Sequence, residues 1–277
     1  MAGRWLNRHD LRTSDGVRLS KIVLKPVQFA PASPTIALIP GWCMPASIWA
    51  KQLTAFGERH LTLALDPRGQ GESEVASTGY HFARRAADLQ ELLSPYENVL
   101  LVGWSLGALE ALQYVHLYGE DKLAGLVLVD SSVGELPVPP PDGGFLDALR
   151  DDRDKALDEF VRAMYAKPRP EDEITSLLAA IKKMSLEDSI ALLSSGIPRE
   201  HWKEIVHAYT KPLLYVVTPQ FEAQARNLAK NRPATRIAVF NDAGHALFVD
   251  EAERFNALIL DFAAKLIIRA LPAGNTT

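Results

Sequence analysis

The stretch Val99-Leu100-Leu101-Val102-Gly103-Trp104-Ser105-Leu106-Gly107-Ala108-Leu109 decides the reading of this 277-residue chain. An apolar run leads into Gly-x-Ser-x-Gly, and a helical pattern extends from Leu106 to Tyr118. A buried strand thus turns directly into a helix at Ser105. So tight a turn strains the serine backbone. Glycines at 103 and 107 remove side chains that would collide where strand and helix cross. The hydroxyl is then presented above the carboxyl edge of a sheet, and the Leu106 amide, at the helix N-terminus, faces a developing oxyanion. An idle serine in an ordinary turn is the competing reading; the strand before it and the helix after it weigh against that.

Outward from this turn, short apolar runs alternate with longer helical patterns. Ile36 to Ile39, Leu61 to Leu65, Leu126 to Val129, Leu213 to Val217 and Ile237 to Phe240 are further strands, of the kind buried on both faces. Helices are expected around Ile48 to Phe56 and Phe82 to Leu93. An early hairpin, His9 to Arg12 and Arg18 to Lys25, turns at Ser14-Asp15-Gly16. The alternation predicts an α/β fold with helices on both faces of a mostly parallel sheet.

The alternation stops near Gly134. Pro137-Val138-Pro139-Pro140-Pro141 cannot continue a strand or a helix. Helical patterns follow over Phe145 to Ala166, Pro170 to Lys183 and Leu186 to Ser194, and strand logic resumes at Pro212. The expected organisation is a core of residues 1–133 and 209–277 with a helical cap, 134–208, inserted into it.

Composition excludes several classes. A net charge of -4 gives no bulk attraction to nucleic acid. The single cysteine, Cys43, forbids an intrachain disulfide, which suits a reducing, cytoplasmic compartment. The polar start, Met1 to Arg12, lacks the apolar region of a secretory signal. No apolar run reaches the roughly 20 residues of a membrane span. Phe255 to Ile268 is interrupted by Asn256, Asp261 and Lys265, and Pro272 to Thr277 reads as a frayed tail. Neither a Cys/His cluster nor a Gly-x-Gly-x-x-Gly after a strand is present, so no metal or nucleotide cofactor is expected.

A serine needs a base to act as a nucleophile. His245 follows the strand Ile237 to Phe240 and precedes the last helical pattern, which makes it the best-placed histidine of the seven. A second oxyanion donor is expected from the loop after Leu38-Ile39. There Gly41 lets the Trp42 amide turn toward the same oxygen, and the Trp42 ring would wall an acyl pocket.

Taken together, Gly103-Trp104-Ser105-Leu106-Gly107, Gly41-Trp42, Asp66-Pro67-Arg68-Gly69-Gln70-Gly71-Glu72-Ser73 and Gly244-His245 resemble the α/β-hydrolase superfamily over almost the whole chain. Within it they are similar to the pimeloyl-acyl-carrier-protein methyl ester carboxylesterases, the arylesterases and the cofactor-free haloperoxidases. The resemblance implies an α/β-hydrolase fold, a serine hydrolase mechanism, and a 66–73 loop that braces the site. Two positions depart from the pattern. Pro40-Gly41 stands where the family usually has His-Gly, which implies altered loop packing. The family's acid is also absent after Leu213 to Val217, where the chain reads Thr218-Pro219-Gln220-Phe221-Glu222. Glu222 is one candidate acid; Asp130, at the tip of the strand Leu126 to Val129, is the other, as in superfamily members that carry the acid there.

The expected reaction is hydrolysis of a small or medium carboxylic ester through an acyl-enzyme. Phe145, Met164 and Trp202 are candidate pocket walls beside Trp42. Residues 135–207 hold ten Lys and Arg against fifteen Asp and Glu, a poor match for an acidic acyl-carrier protein. Carrier-protein esterase activity, peroxide-dependent perhydrolase or haloperoxidase activity, and a degenerate binding module are the alternatives. The partner expected is a small-molecule ester, with no nucleic acid and no membrane.

Overall fold

A computed structural model describes residues 7–26, 32–140 and 144–270. Met1–Leu6, Pro141 and the 272–277 tail, each of which entered the reading of the sequence, lie outside the described residues. In chain order the elements are β1 (Asn7–Arg12), β2 (Arg18–Leu24), β3 (Thr35–Ile39), α1 (Ala50–Phe56), β4 (Thr62–Asp66), α2 (Phe82–Leu93), β5 (Val99–Trp104), α3 (Leu106–Tyr118), β6 (Leu123–Val129), α4 (Phe145–Asp151), α5 (Arg153–Ala163), α6 (Glu171–Ile181), α7 (Leu186–Leu193), α8 (Arg199–Ala208), β7 (Leu213–Val217), α9 (Glu222–Asn231), β8 (Thr235–Val239), α10 (Leu247–Asp250) and α11 (Ala252–Ala270).

The eight strands form one sheet in the order β1-β2-β4-β3-β5-β6-β7-β8. Pairing is antiparallel at β1–β2 and β2–β4 and parallel from β4 to β8. The runs of β3, β4, β5 and β7 are buried along their whole length, because helices cover both faces. α3 packs on α2 and β5, and α1 on α11.

Register places the site. Trp104 pairs with Val129, Val129 with Val216, and Val217 with Val239. Beyond the strand ends the ladder runs one bond further: Ser105 N donates to Val129 O (2.8 Å), Asp130 N to Val216 O (2.8 Å) and Phe240 N to Val217 O (2.8 Å). Ser105, Asp130 and the loop after β8 therefore emerge from neighbouring strands at one carboxyl edge.

Among the described residues, five helices, α4 to α8, occupy the interval between β6 and β7. The periodicity predicted one helix over Phe145 to Ala166; the chain instead breaks at Asp152 (φ -150°, ψ 89°), whose side chain accepts from Lys155 N (3.1 Å) and caps α5. Among the described residues, no helix is long and apolar enough to cross a membrane.

Candidate active site

Ser105 lies between β5 and α3 at φ 55°, ψ -120°, a conformation that costs a non-glycine residue about 1–3 kcal/mol. Its neighbours over-determine it. A Cβ on Gly103 would sit 2.3 Å from Gly107 O, and one on Gly107 would sit 2.5 Å from Pro40 O. Strand, helix and the loop after β3 thus pack backbone against backbone around the serine. Gly41 touches it directly, since a Cβ there would come 3.1 Å from Ser105 Cβ. Trp42, the next residue, and Leu106, the first residue of α3, accordingly flank the serine. Leu106 N–H belongs to a first helical turn, whose amides have no acceptor within the helix.

His245 sits between β8 and α10. Its Nδ1 is 2.7 Å from Asp130 Oδ2, and the Asp130 side chain is fully buried. The other carboxylate oxygen, Oδ1, accepts from Thr218 N (2.7 Å). Asp130 itself has φ 44°, a second non-glycine residue held in the left-handed region at this edge. Trp104 Nε1 donates to His245 O (2.9 Å), with the two rings 5.2 Å apart, which ties the histidine to the residue preceding the serine. Glu222 is placed elsewhere. It opens α9 and accepts from Arg226 Nε (2.9 Å), so the structure pairs His245 with Asp130 and not with Glu222.

The Trp42 ring is locked from above by the inserted helices. Its Nε1 donates to Ser189 O (2.7 Å), and Phe145 and Phe160 meet it edge-on at 5.6 and 5.4 Å. Phe145 thus lies beside Trp42. Met164 is buried, and its carbonyl accepts from Ala246 N (2.8 Å), next to His245. Trp202 departs from the expectation: its ring contacts are Phe82 (4.9 Å) and His201 (5.0 Å), between α8 and the start of α2, because α8 packs on the α2–α3 layer.

Beneath the site lies a buried polar chain that sequence reading missed. Gln70 Nε2 donates to Gly41 O (3.1 Å) and Met44 O (2.7 Å), gripping the loop that carries Trp42. Gln70 Oε1 accepts from Arg85 Nη2 (2.8 Å), and Arg85 Nε reaches Glu110 Oε1 (2.8 Å). Arg68 is fully buried against Asp88, with Nε and Nη2 bonds of 2.7 and 2.8 Å. Asp66 accepts from Ala46 N (2.6 Å) and Glu72 N (3.1 Å). This loop braces the site, and Arg68 is spent on structure. Cys43, beside Trp42, has its thiol pushed up to about 12 by burial, so it stays neutral and does not compete as a nucleophile. Among the described residues, no cluster of three or more His, Cys, Asp or Glu is placed to hold a metal ion.

The chain belongs to the alpha/beta hydrolase family, whose model matches residues 36–258. Among curated proteins it is similar to the non-heme chloroperoxidase CPO-A1 of Kitasatospora aureofaciens, 25% identical over 83% of this chain and 92% of that one. It is also similar to the pimeloyl-[acyl-carrier protein] methyl ester esterase of Vibrio vulnificus, 28% identical over 84% of this chain and 95% of that one. An esterase from Exiguobacterium antarcticum shares the fold, with a TM-score of 0.78 at 21% identity over 92% of this chain and 98% of that one. The resemblance drawn from the motifs holds: the chain is an α/β-hydrolase with esterase-type kin.

Proposed function

We propose that the protein is a serine carboxylesterase acting on a small or medium ester. The observation that carries this reading is the 2.7 Å contact of Asp130 with His245 Nδ1 at the sheet edge where the strained Ser105 emerges. Asp130 accepts a hydrogen bond from Nδ1–H, which holds the tautomer whose Nε2 is unprotonated and free to take the Ser105 proton as Oγ attacks the ester carbonyl. The Trp42 and Leu106 amides donate to the tetrahedral oxyanion; one such donor is worth roughly 10²–10³ in kcat. His245 then protonates the departing alkoxide. Water, deprotonated by the same imidazole, attacks the acyl-enzyme and releases the acid.

We read 134–208 as a cap and the rest of the chain as the catalytic core. Trp42, Phe145 and Phe160 form an aromatic corner suited to an apolar acyl group. Four basic residues of the inserted helices and their turns weigh against a carrier-protein substrate, because carboxylates of this chain already pair with them. Arg162 pairs with Asp158 and Glu171, Arg169 with Glu173, Lys182 with Asp154 and Lys183 with Glu72.

The test is a fluorophosphonate probe followed by a p-nitrophenyl ester series of increasing acyl length. Stoichiometric labelling at Ser105, lost in Ser105→Ala together with ester turnover, is the expected result. An unlabelled Ser105 beside a labelled control hydrolase would refute the reading. Peroxide-dependent halogenation exceeding ester turnover would move the assignment to a perhydrolase.

A further inference from the structure

The loop that carries His245 is stapled to the inserted helices on both sides of the histidine. On one side, Gly244 N donates to Asp250 Oδ2 (2.9 Å), and the same oxygen accepts from Ala166 N (2.8 Å). On the other, Ala246 N donates to Met164 O (2.8 Å). Between these bonds Gly244 lies so close to the 164–166 turn that a Cβ would meet Met164 O at 2.6 Å and Ala166 N at 2.8 Å. Asp250 closes the arrangement from the end of α10, and its own N–H returns to Ala246 O (3.2 Å).

The chemistry of this carboxylate is unusual for a residue with a purely structural task. Among the described residues no Lys, Arg or His pairs with it. Its second oxygen, Oδ1, is buried with no hydrogen-bond partner. A charge placed with one oxygen unsatisfied and no counter-ion is unfavourable for folding. What it supplies is one strong acceptor that two backbone amides share, one from the residue before His245 and one from an element 84 residues away.

We propose that Asp250 is a positioning residue for the base: it fixes the Gly244–Ala246 loop against the Met164–Ala166 turn and so sets the reach of His245 toward Ser105. This rests on reading Ser105, His245 and Asp130 as the catalytic triad. Asp250 touches neither the substrate nor the imidazole; it acts through the backbone that carries the ring. Displacement of a base by about 1 Å is enough to cost on the order of 10²-fold in rate. The loop's second staple, Ala246 N to Met164 O, survives the loss of Asp250, so a partial effect is expected.

The experiment measures kcat per active site, counted by burst amplitude with a p-nitrophenyl ester, for Asp250→Asn, Asp250→Ala and Asp250→Ser, alongside His245→Ala. Asparagine keeps a single oxygen that both amides can share, so its kcat stays within about threefold of the parent. Alanine leaves both amides without an acceptor and lowers kcat per site about 30-fold, with KM changed less than about threefold. Serine, too short to reach both amides, falls about tenfold and serves if the alanine variant does not fold. A residue that only stabilises the fold would lower the thermal midpoint and the burst amplitude, leaving kcat per site unchanged. That outcome, or an asparagine variant as slow as alanine, overturns the proposal. If His245→Ala keeps parental turnover, the reading of the whole site falls with it. Loss in His245→Ala with none in Asp250→Ala or Asp250→Ser removes only the positioning role.

Discussion

Asp130→Asn changes the proposed triad by one atom and almost no volume, and the hydrogen bonds around it determine the effect. Two donors converge on the carboxylate: Thr218 N on Oδ1 and His245 Nδ1 on Oδ2, each at 2.7 Å. An asparagine offers one oxygen and one NH2. The Thr218 amide can only donate, so it claims the oxygen and turns the NH2 toward His245. The imidazole then accepts at Nδ1 and carries its proton on Nε2, where it cannot receive the Ser105 proton. The opposite amide orientation restores the working tautomer but sets two donors face to face in a buried site. That costs about 1–3 kcal/mol, so roughly 0.6–16% of molecules hold it. Those molecules also lack the carboxylate charge that steadies the imidazolium, a charge-assisted bond about twice as strong as a neutral one. The wrong tautomer, about 6- to 160-fold, and the lost charge assistance, about 1–1.5 kcal/mol or 5- to 13-fold, multiply to a loss of roughly 30- to 2000-fold in kcat, about 2–4.5 kcal/mol of barrier. Steady-state turnover of a p-nitrophenyl ester at neutral pH, with circular dichroism to show an unchanged fold, is the assay. Retention of more than a tenth of the parental kcat would refute the triad as drawn. Glu222→Gln is the companion, expected within about threefold, since it breaks only a surface pair with Arg226.

Two further outcomes follow from the geometry. Gly103→Ala sets a Cβ 2.3 Å from Gly107 O and 2.6 Å from Gly107 C, backbone atoms that cannot swing aside. The expected cost is about 3 kcal/mol, seen as a fall of about 5 °C in Tm; an unchanged Tm would show that the turn at Ser105 has more slack than its packing implies. Asp15, in the early hairpin turn, is lowered from the ordinary 3.8 to about 2 by its hydrogen bond from Arg68. A carboxylate held below its unfolded value stabilises the fold above that value, and the contribution is lost as pH falls from near 4 through about 2. Asp15→Asn should therefore flatten the decline of Tm across that acid window and leave a roughly constant offset above it; an identical slope in both proteins would contradict the assignment.

The strands and the turn at Ser105 were legible because strands buried on both faces read as short aliphatic runs, and because Gly-x-Ser-x-Gly, common on its own, stands here between such a run and a helical pattern. The break at Asp152 was less so, although Asp152 is a good N-cap residue standing three positions before Lys155. Periodicity continues across it and hides the turn. The proposed acid needed tertiary geometry. Sequence order left Asp130 and Glu222 both open, and it is the parallel register of β6 with β7 that carries Asp130 to Thr218 N and His245. The buried Arg85 left a signal that was available and unread. It falls on the stripe Phe82, Ala86, Leu89 and Leu93 that faces the core, whereas its neighbour Arg84 lies off that stripe and remains partly exposed. An arginine on an apolar stripe has to meet a carboxylate inside, and Glu110 on α3 is that partner.

Asp250 and the Trp42 indole left no such signal, because their partners, Ala166 and Ser189, lie in a region whose place over the sheet cannot be read from periodicity. Yet those two bonds bear on how the site works as a unit. The inserted helices hold the Trp42 side of Ser105 through Ser189 O, and the His245 side through Met164 O and Ala166 N. The residue that flanks the proposed oxyanion and the loop that bears the proposed base are thus both fastened outside the sheet, the first to α7 and the second to the turn after α5. Ser105 and Asp130, by contrast, are fixed by the strands themselves. Substitutions in α5 or α7 that reshape the aromatic corner should therefore alter kcat as well as KM, since the contacts that select the acyl group are continuous with those that aim the catalytic groups.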